Sequence, residues 1–319
     1  MKNTVIAAAL GALLAVSPAA RADAFARAYN NVTNMVITVS AGVTIGETVD
    51  NSSAGACLAN GVCVAQGGAG MTDTPAAHIG LPGYVNNSYV SPLGVLTSYA
   101  VADSSIDWQQ LQGAPSTQAR SLAEAKLLSN TTANANSGNS SASFMSTVIE
   151  VDGGGATIGI RFDATPYIQA YLSANSLSPA QAEGTIALNF NIIDNNGNIV
   201  FNWTPDGFAG GITGGTESAD AYTLNTTLTA LPNNTGPLLF NPMSCPVGSL
   251  PDGCFNATTE RLAAGIYSLN MSMSSNINLQ SVVAVPEPHS YAMAGAGLAL
   301  LGFMARRRRR RTPGVGRWT

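Results

Sequence analysis

Histidine is almost absent from this chain of 319 residues, which has only His78 and His289. Charged side chains are scarce as well, at 10% of the sequence, against roughly a quarter in ordinary soluble domains. A Ser-His-Asp triad would have to run through His78, and no G-x-S-x-G frames a serine nucleophile. His78 lies in a Pro/Gly context, TPAAHIGLPG, where an incidental exposed or hydrogen-bonded histidine is expected. Cysteine is limited to Cys57, Cys63, Cys245 and Cys254. Their spacings are not C-x-x-C and no histidine lies near them, so a zinc centre lacks its ligand set; no metal and no cofactor are expected. Between residues 25 and 285 the only basic side chains are Arg27, Arg120, Lys126, Arg161 and Arg261, against sixteen acids, a net charge of −11. Such a body does not bind nucleic acid or an anionic membrane through charge. Its polar residues are instead Asn, Ser, Thr and Gly, a composition of turn-rich extracellular β proteins.

The two ends differ from this body. Lys2 precedes an apolar stretch from Val5 to Val16, followed by Ala20-Arg21-Ala22 and Ala22-Asp23-Ala24. A charged start, a short apolar core and small residues at A-x-A spacing make a secretory signal peptide, cut after Ala22 or Ala24. The apolar core is shorter than the roughly 20 residues that span a bilayer, so the segment reads as a signal helix for the Sec export machinery. At the other end, Val285-Pro286-Glu287-Pro288 leads into an apolar run from Tyr291 to Ala305, including Leu298, Leu300, Leu301 and Phe303. The prolines hold the backbone extended and remove amide donors, which suits capture of the segment as a strand by a processing enzyme. The run is short for a membrane helix, at about 1.5 Å per residue against a core of about 30 Å. Arg306, Arg307, Arg308, Arg309, Arg310 and Arg311 follow and act as a stop that remains cytoplasmic.

The stretch VPEPHSYAMAGAGLALLGFMARRRRR resembles the PEP-CTERM sorting signal of Gram-negative bacteria. That resemblance implies recognition of Pro286, Glu287 and Pro288 by exosortase, a membrane protease that removes the tail. The extension Thr312 to Thr319 departs from the pattern, since such tails usually end at the arginines. Scattered segments, Ala24 to Asn34, Phe162 to Tyr167 and Val200 to Gly207, are similar to a group of exosortase-dependent surface proteins without an assigned activity. The expected layout is a signal peptide over 1–24, an extracellular domain over 25–284, the sorting signal over 285–311 and a cytoplasmic tail over 312–319.

Within the body, period-two runs dominate: Asn34 to Ser40, Ser146 to Val151, Ala156 to Phe162 and Thr185 to Ile193. Asn196-Gly197 between two apolar runs is a hairpin signal, because both residues tolerate positive φ. Further strands are expected over Ala221 to Thr229, Gly265 to Met273 and Asn276 to Val283. Thr117 to Leu128 reads as a short amphipathic helix. Thr165 to Ser173 reads as a second, with Pro166 in its first turn. The low-complexity stretch Asn130 to Ser143 reads as a mobile loop. The sum is a mostly antiparallel β-sandwich, jelly-roll-like, with one or two short peripheral helices. In an oxidising compartment the cysteines pair locally, Cys57 with Cys63 and Cys245 with Cys254, each loop contributing about 2–3 kcal/mol.

Candidate chemistry is thin. Paired carboxylates such as Glu150 with Asp152, or Asp103 with Asp107, meet the minimal requirement of glycoside hydrolysis but look like ordinary surface acids. The run Asp152-Gly153-Gly154-Gly155 lacks the lysine and hydroxyl residue of a phosphate loop and reads as a turn. Asp194, Asn196 and Asn198 alternate as calcium ligands do, yet Ile199 occupies the position of the calcium loop's glycine, and the hairpin reading is preferred. Trp203 and Trp108 are expected in the core rather than on a sugar-stacking surface. The resulting expectation is an exported protein without catalytic activity. Its precursor is anchored in the inner membrane facing the periplasm, and its mature form works at the cell surface or outside the cell. The resemblance implies a partnership with extracellular polysaccharide in biofilm. A carbohydrate-binding module or adhesin is the alternative, and a carboxylate-dependent secreted hydrolase a third.

Overall fold

A computed structural model describes residues 22–58, 62–69, 77–81, 83–85, 88–89, 97–107, 118–129, 134–174, 176–242 and 253–282, with 295, 297–302 and 306 in the tail. The strands are β1 (Ala22–Val39), β2 (Val43–Leu58), β3 (Val62–Ala69), β4 (Ala77–Ile79), β5 (Tyr99–Asp107) and β6 (Gln118–Ser129). They continue with β7 (Asn134–Val151), β8 (Ile158–Ala164), β9 (Tyr167–Leu172), β10 (Gln181–Asp194), β11 (Ile199–Trp203) and β12 (Ile212–Thr213). The last are β13 (Gly215–Asp220), β14 (Thr226–Ala230), β15 (Leu238–Phe240), β16 (Phe255–Thr259) and β17 (Gly265–Val282).

Two antiparallel sheets form. Sheet A runs β13-β16-β8-β1-β6-β5-β4, with β9 against β1 and β15 against β9; sheet B runs β12-β11-β10-β17-β7-β2-β3, with β14 against β10. β1 is the hub of sheet A. One of its edges pairs with β6 over Ala22 to Val32, while the other is shared end to end by β9, against Ala24 to Tyr29, and β8, against Val32 to Val39. The alternation that makes these strands is clearest in β10. There Ala182, Ile186, Leu188, Phe190 and Ile192 are buried, and each intervening residue is half-exposed. Gly184 takes one inward position because sheet A comes so close: a Cβ there would sit 2.7 Å from Ile168 Cγ2.

The inward faces make one core with two apolar regions. At one end Phe162, Phe190, Trp203 and Phe255 pack with ring centroids 4.8–5.5 Å apart. At the other, small side chains dominate, among them Ala26, Ala28, Ala102, Ala123 and Ala125, with Ile168, Ile186 and Leu279 filling between. A polar layer one residue deep separates them. Asn30 pairs in register with Ser121, and Ser121 with Ser104. The Ser121 and Ser275 hydroxyls share a 2.7 Å hydrogen bond that joins the sheets, and Ser104 Oγ donates to Ser53 O across the same gap at 2.9 Å. Asn30 is fully buried, and among the described residues neither Nδ2 nor Oδ1 has a hydrogen-bond partner.

The mostly-β, two-sheet expectation holds, and three local expectations are corrected. Residues 118–129 form strand β6, not a helix: Ala119, Ser121, Ala123, Ala125 and Leu127 point inward, while the residues between them face out. Residues 167–172 are strand β9 with a strict two-residue burial period, and Pro166 stands just outside it, where no ladder donor is required. The stretch read as a loop contributes most of β7, whose backbone from Asn134 is paired on one side with β17. No helix occurs among the described residues of the body.

Replacing Phe162 with Ala is expected to lower stability by about 3–5 kcal/mol. Asn30→Leu is expected to raise it by about 1–2 kcal/mol, because burying the unpartnered amide carries a desolvation cost. Urea unfolding followed by circular dichroism reads both; a loss of stability in Asn30→Leu would refute the cost assigned to that amide.

Candidate functional site

The tail, Ala284–Thr319, forms a compact unit separate from the body. Pro286, Glu287, Pro288, Tyr291, Phe303 and Arg307 to Arg311 lie outside the described residues, as do residues 1–21 of the signal segment. Leu298, Leu300 and Leu301 lie in a helical stretch over 297–302 and are exposed, and Arg306 is helical and exposed as well. No helix among the described residues is long and apolar enough to cross a membrane. Ala22 begins β1 and Ala24 is a fully buried core residue.

Cys57 and Cys63 are opposite one another in the β2–β3 ladder, with Cα atoms 4.1 Å apart, and form a disulfide. Cys254 is also disulfide-bonded; Cys245 lies outside the described residues. The Asp194 to Asn198 segment is a turn that consumes its own carboxylate. Asp194 Oδ1 accepts from the amides of Asn196 and Asn198 at 2.8 Å, and Oδ2 accepts from Asn198 Nδ2 at 2.9 Å. These bonds, led by the Asn198 side chain, hold the Asp194 carboxyl below its ordinary value. Gly197, at φ 86°, closes the turn. Asp152 likewise accepts from the Gly154 amide. Trp203 is buried, and Trp108 lies outside the described residues.

The sequence missed the partner of Asp103. β5 and β6 pair Val101 with Glu124 and Asp103 with Leu122, so both acids rise from the outer face of sheet A. Both are fully buried. Tyr99 Oη donates to Glu124 Oε1 at 2.6 Å, Arg27 Nη1 lies 3.6 Å from Glu124 Oε2, and Tyr84 Oη donates to Asp103 Oδ2 at 3.4 Å. Burial pushes the Tyr99 and Tyr84 hydroxyls well above the ordinary tyrosine value, Glu124 adding to the first and Asp103 to the second. Arg27 is flanked by the Tyr29 and Tyr167 rings, 5.7 and 5.4 Å from their centroids, and Arg120 lies over Tyr89. A charge buried in this way is tolerated when hydrogen-bonded and paired. The cluster ties the segment carrying Tyr84 and Tyr89 to the sheet, and its acids are held by tyrosine hydroxyls rather than aimed at open solvent. A long-range cluster of this kind leaves no local motif; alternating polar residues within β5 and β6 are its only trace.

A second group of acids gathers at the edge of both sheets. Asp220 Oδ2 accepts from the Asp206 and Gly207 amides at 2.8 Å. Trp203 Nε1 donates to Glu217 Oε1 at 2.5 Å. Burial, opposed by the two amide bonds and assisted by Glu217 and Asp206, pushes the Asp220 carboxyl up to about 6. No group of three or more His, Cys, Asp or Glu residues with metal-binding geometry occurs among the described residues. The folded protein therefore holds the Asp220 proton at pH values where the unfolded chain releases it. Stability is expected to be highest below pH 4 with respect to this group, and to fall as pH rises through about 6. Asp220→Asn, which keeps an acceptor oxygen, is expected to flatten that slope in urea midpoints measured from pH 4 to pH 8.

Comparisons with known proteins place weight on the tail alone. No curated protein matches the chain. Among solved structures, the Klebsiella pneumoniae type II secretion system outer membrane complex (PulD, PulS and PulC HR domain) aligns at 10% identity with a TM-score of 0.12, covering 98% of this chain and 48% of that one. The type II secretion system secretin GspD of E. coli K12 aligns at 7% identity and TM-score 0.11, covering 99% and 61%. The chain thus spans less than two thirds of either, and such TM-scores carry no structural likeness. Residues 284–310 match the PEP-CTERM protein-sorting motif, so the chain carries that sorting signal.

Proposed function

We propose that this protein is a non-catalytic component of the cell surface or extracellular matrix that works with extracellular polysaccharide. The PEP-CTERM motif over 284–310 carries the reading, since it marks an exported, exosortase-dependent surface protein. In this account the Sec machinery exports the chain, the tail holds the precursor in the inner membrane with the body in the periplasm, and exosortase releases the body. The disulfide at Cys57 and Cys63 agrees with folding in an oxidising compartment. The paucity of charge supports a role in binding neutral matter rather than in acid–base turnover.

The structure bears on the leader cleavage as well. Asp23 N accepts its place in β1 by donating to Ser173 Oγ at 3.0 Å, and the Ser173 amide donates to Asp23 O at 2.8 Å. Cleavage after Ala24 would remove both bonds and a core residue, so cleavage after Ala22 is proposed, leaving Asp23 first. A hydrolase reading has one observation in its favour, the burial of Asp103 and Glu124 in one cluster. Turnover of any polysaccharide that is abolished in Glu124→Gln, with the fold intact, would replace the non-catalytic reading.

Mass spectrometry of surface material is expected to show an N-terminus at Asp23 and a C-terminus at or near Pro286 to Pro288. Glu287→Ala is expected to leave the uncut precursor in the inner-membrane fraction. Recovery of Arg306 to Arg311 in released protein would refute exosortase processing.

A further inference from the structure

The outer face of sheet B carries no charge along its central strand. β17 is central in this sheet, and its outward residues from Ser268 to Asn276 are Ser268, Asn270, Ser272, Ser274 and Asn276. On β10 the residues opposite these are Ile193, Asn191, Asn189, Ala187 and Thr185. On β7 the residues opposite Ser268, Asn270 and Ser272 are Val148, Ser146 and Phe144, and on β2 the register brings Val49, Asn51 and Ser53 to the same side; the exposed Val148 and Val49 interrupt the polar row with apolar surface. Among the described residues, no ionisable residue occupies an outward register position in this field. Glu150, beside Ile266, bounds it at one end, and Glu183, opposite Asn278, at the other.

The polar groups are ordered. Ser146 and Ser268 share a hydrogen bond of 2.9 Å, Ser268 Oγ donates to Asn270 Oδ1 at 3.3 Å, and Asn270 Nδ2 donates to Asn191 Oδ1 at 2.9 Å. Asn191 Nδ2 then donates to Asn189 Oδ1 at 3.4 Å, and Asn189 Nδ2 to Asn202 Oδ1 at 3.0 Å. This line crosses β7, β17, β10 and β11 and fixes the amides before anything binds, which lowers the entropic cost of an encounter. Ser272 and Asn278 stand exposed beyond it. At about 3.4 Å per residue the outward row of β17 extends for tens of ångströms, long enough for several sugar rings.

Resting on the polysaccharide reading above and sharpening it, we propose that the outer face of sheet B is the docking surface for a neutral, hydroxyl-rich polysaccharide in an extended conformation. Amides and hydroxyls match sugar hydroxyls as both donors and acceptors. A charged polymer would give up hydration against a face offering it no counter-charge. An anionic polymer is also repelled by a body of net charge −11.

The test is co-sedimentation of the full-length chain in detergent with an insoluble neutral β-glucan, with alginate as the anionic polymer, and with the cell's own exopolysaccharide. Wild type and Leu239→Glu, an exposed substitution on sheet A, are expected to bind the glucan. The double variant Ser272→Glu/Asn278→Glu is expected to bind at least tenfold more weakly while melting at the wild-type temperature. Equal glucan binding by the double variant would overturn the face and leave the polysaccharide reading standing, and a preference for alginate would overturn the neutral occupant. Binding to none of the three polymers would defeat both readings. If the double variant turned a dimer into a monomer in sedimentation velocity and still bound glucan, the face would belong to a second copy of the chain and the proposal would fall.

Discussion

Register is the constraint on which the sandwich depends. Side chains in a strand alternate with a period of two, so a slip of one residue turns the buried set to solvent. A slip of two would keep faces correct, and most cores resist it only through shape. Here the polar layer resists it chemically. Asn30, Ser104 and Ser121 on sheet A are aligned, and Ser275 meets them from sheet B through Ser121. A two-residue shift of β1 would set Asn30 against Ala123 or Ala119 and leave Ser121 facing Val32 or Ala28. The unpartnered amide of Asn30 is the stability sacrificed for that discrimination.

The same layer divides two styles of packing. On one side, rings fill the gap: Phe162 stacks on Phe255, with centroids 4.8 Å apart, while Trp203 lies beside Phe190. On the other, alanines line both β1 and β6, and small side chains let the sheets approach closely enough that only glycine fits at position 184. Sequences rich in alanine are read as helical because alanine has the highest helix propensity. In this protein alanine is chosen for its size.

That explains where the sequence was legible and where it was not. β10, β11 and the Asn196-Gly197 turn were readable because large apolar side chains alternate there and the turn chemistry is local. β6 was misread because Ala119, Leu122, Ala123 and Leu127 also fit a helical stripe, and only the ladders to β1 and β5 decide between the two periods. β7 was misread because its Asn/Ser/Thr residues carry no apolar signal; its strand character comes from backbone pairing to β17 and β2 on either side. The sorting motif was legible because its parts are read in linear order. The Asp103–Glu124–Tyr99 cluster was not, since it assembles across strands and involves no residue type unusual in a surface segment.

β17 is the last strand of the body and also the middle strand of its sheet, gripped by β10 on one edge and β7 on the other. Until residues 265–282 are in place, those two edges have no strand between them, and sheet B remains in two halves. A chain delivered from its N-terminus therefore cannot close its sandwich early, because both halves of the sheet precede the strand that joins them. The stretch of the body that arrives last is the one that locks the structure.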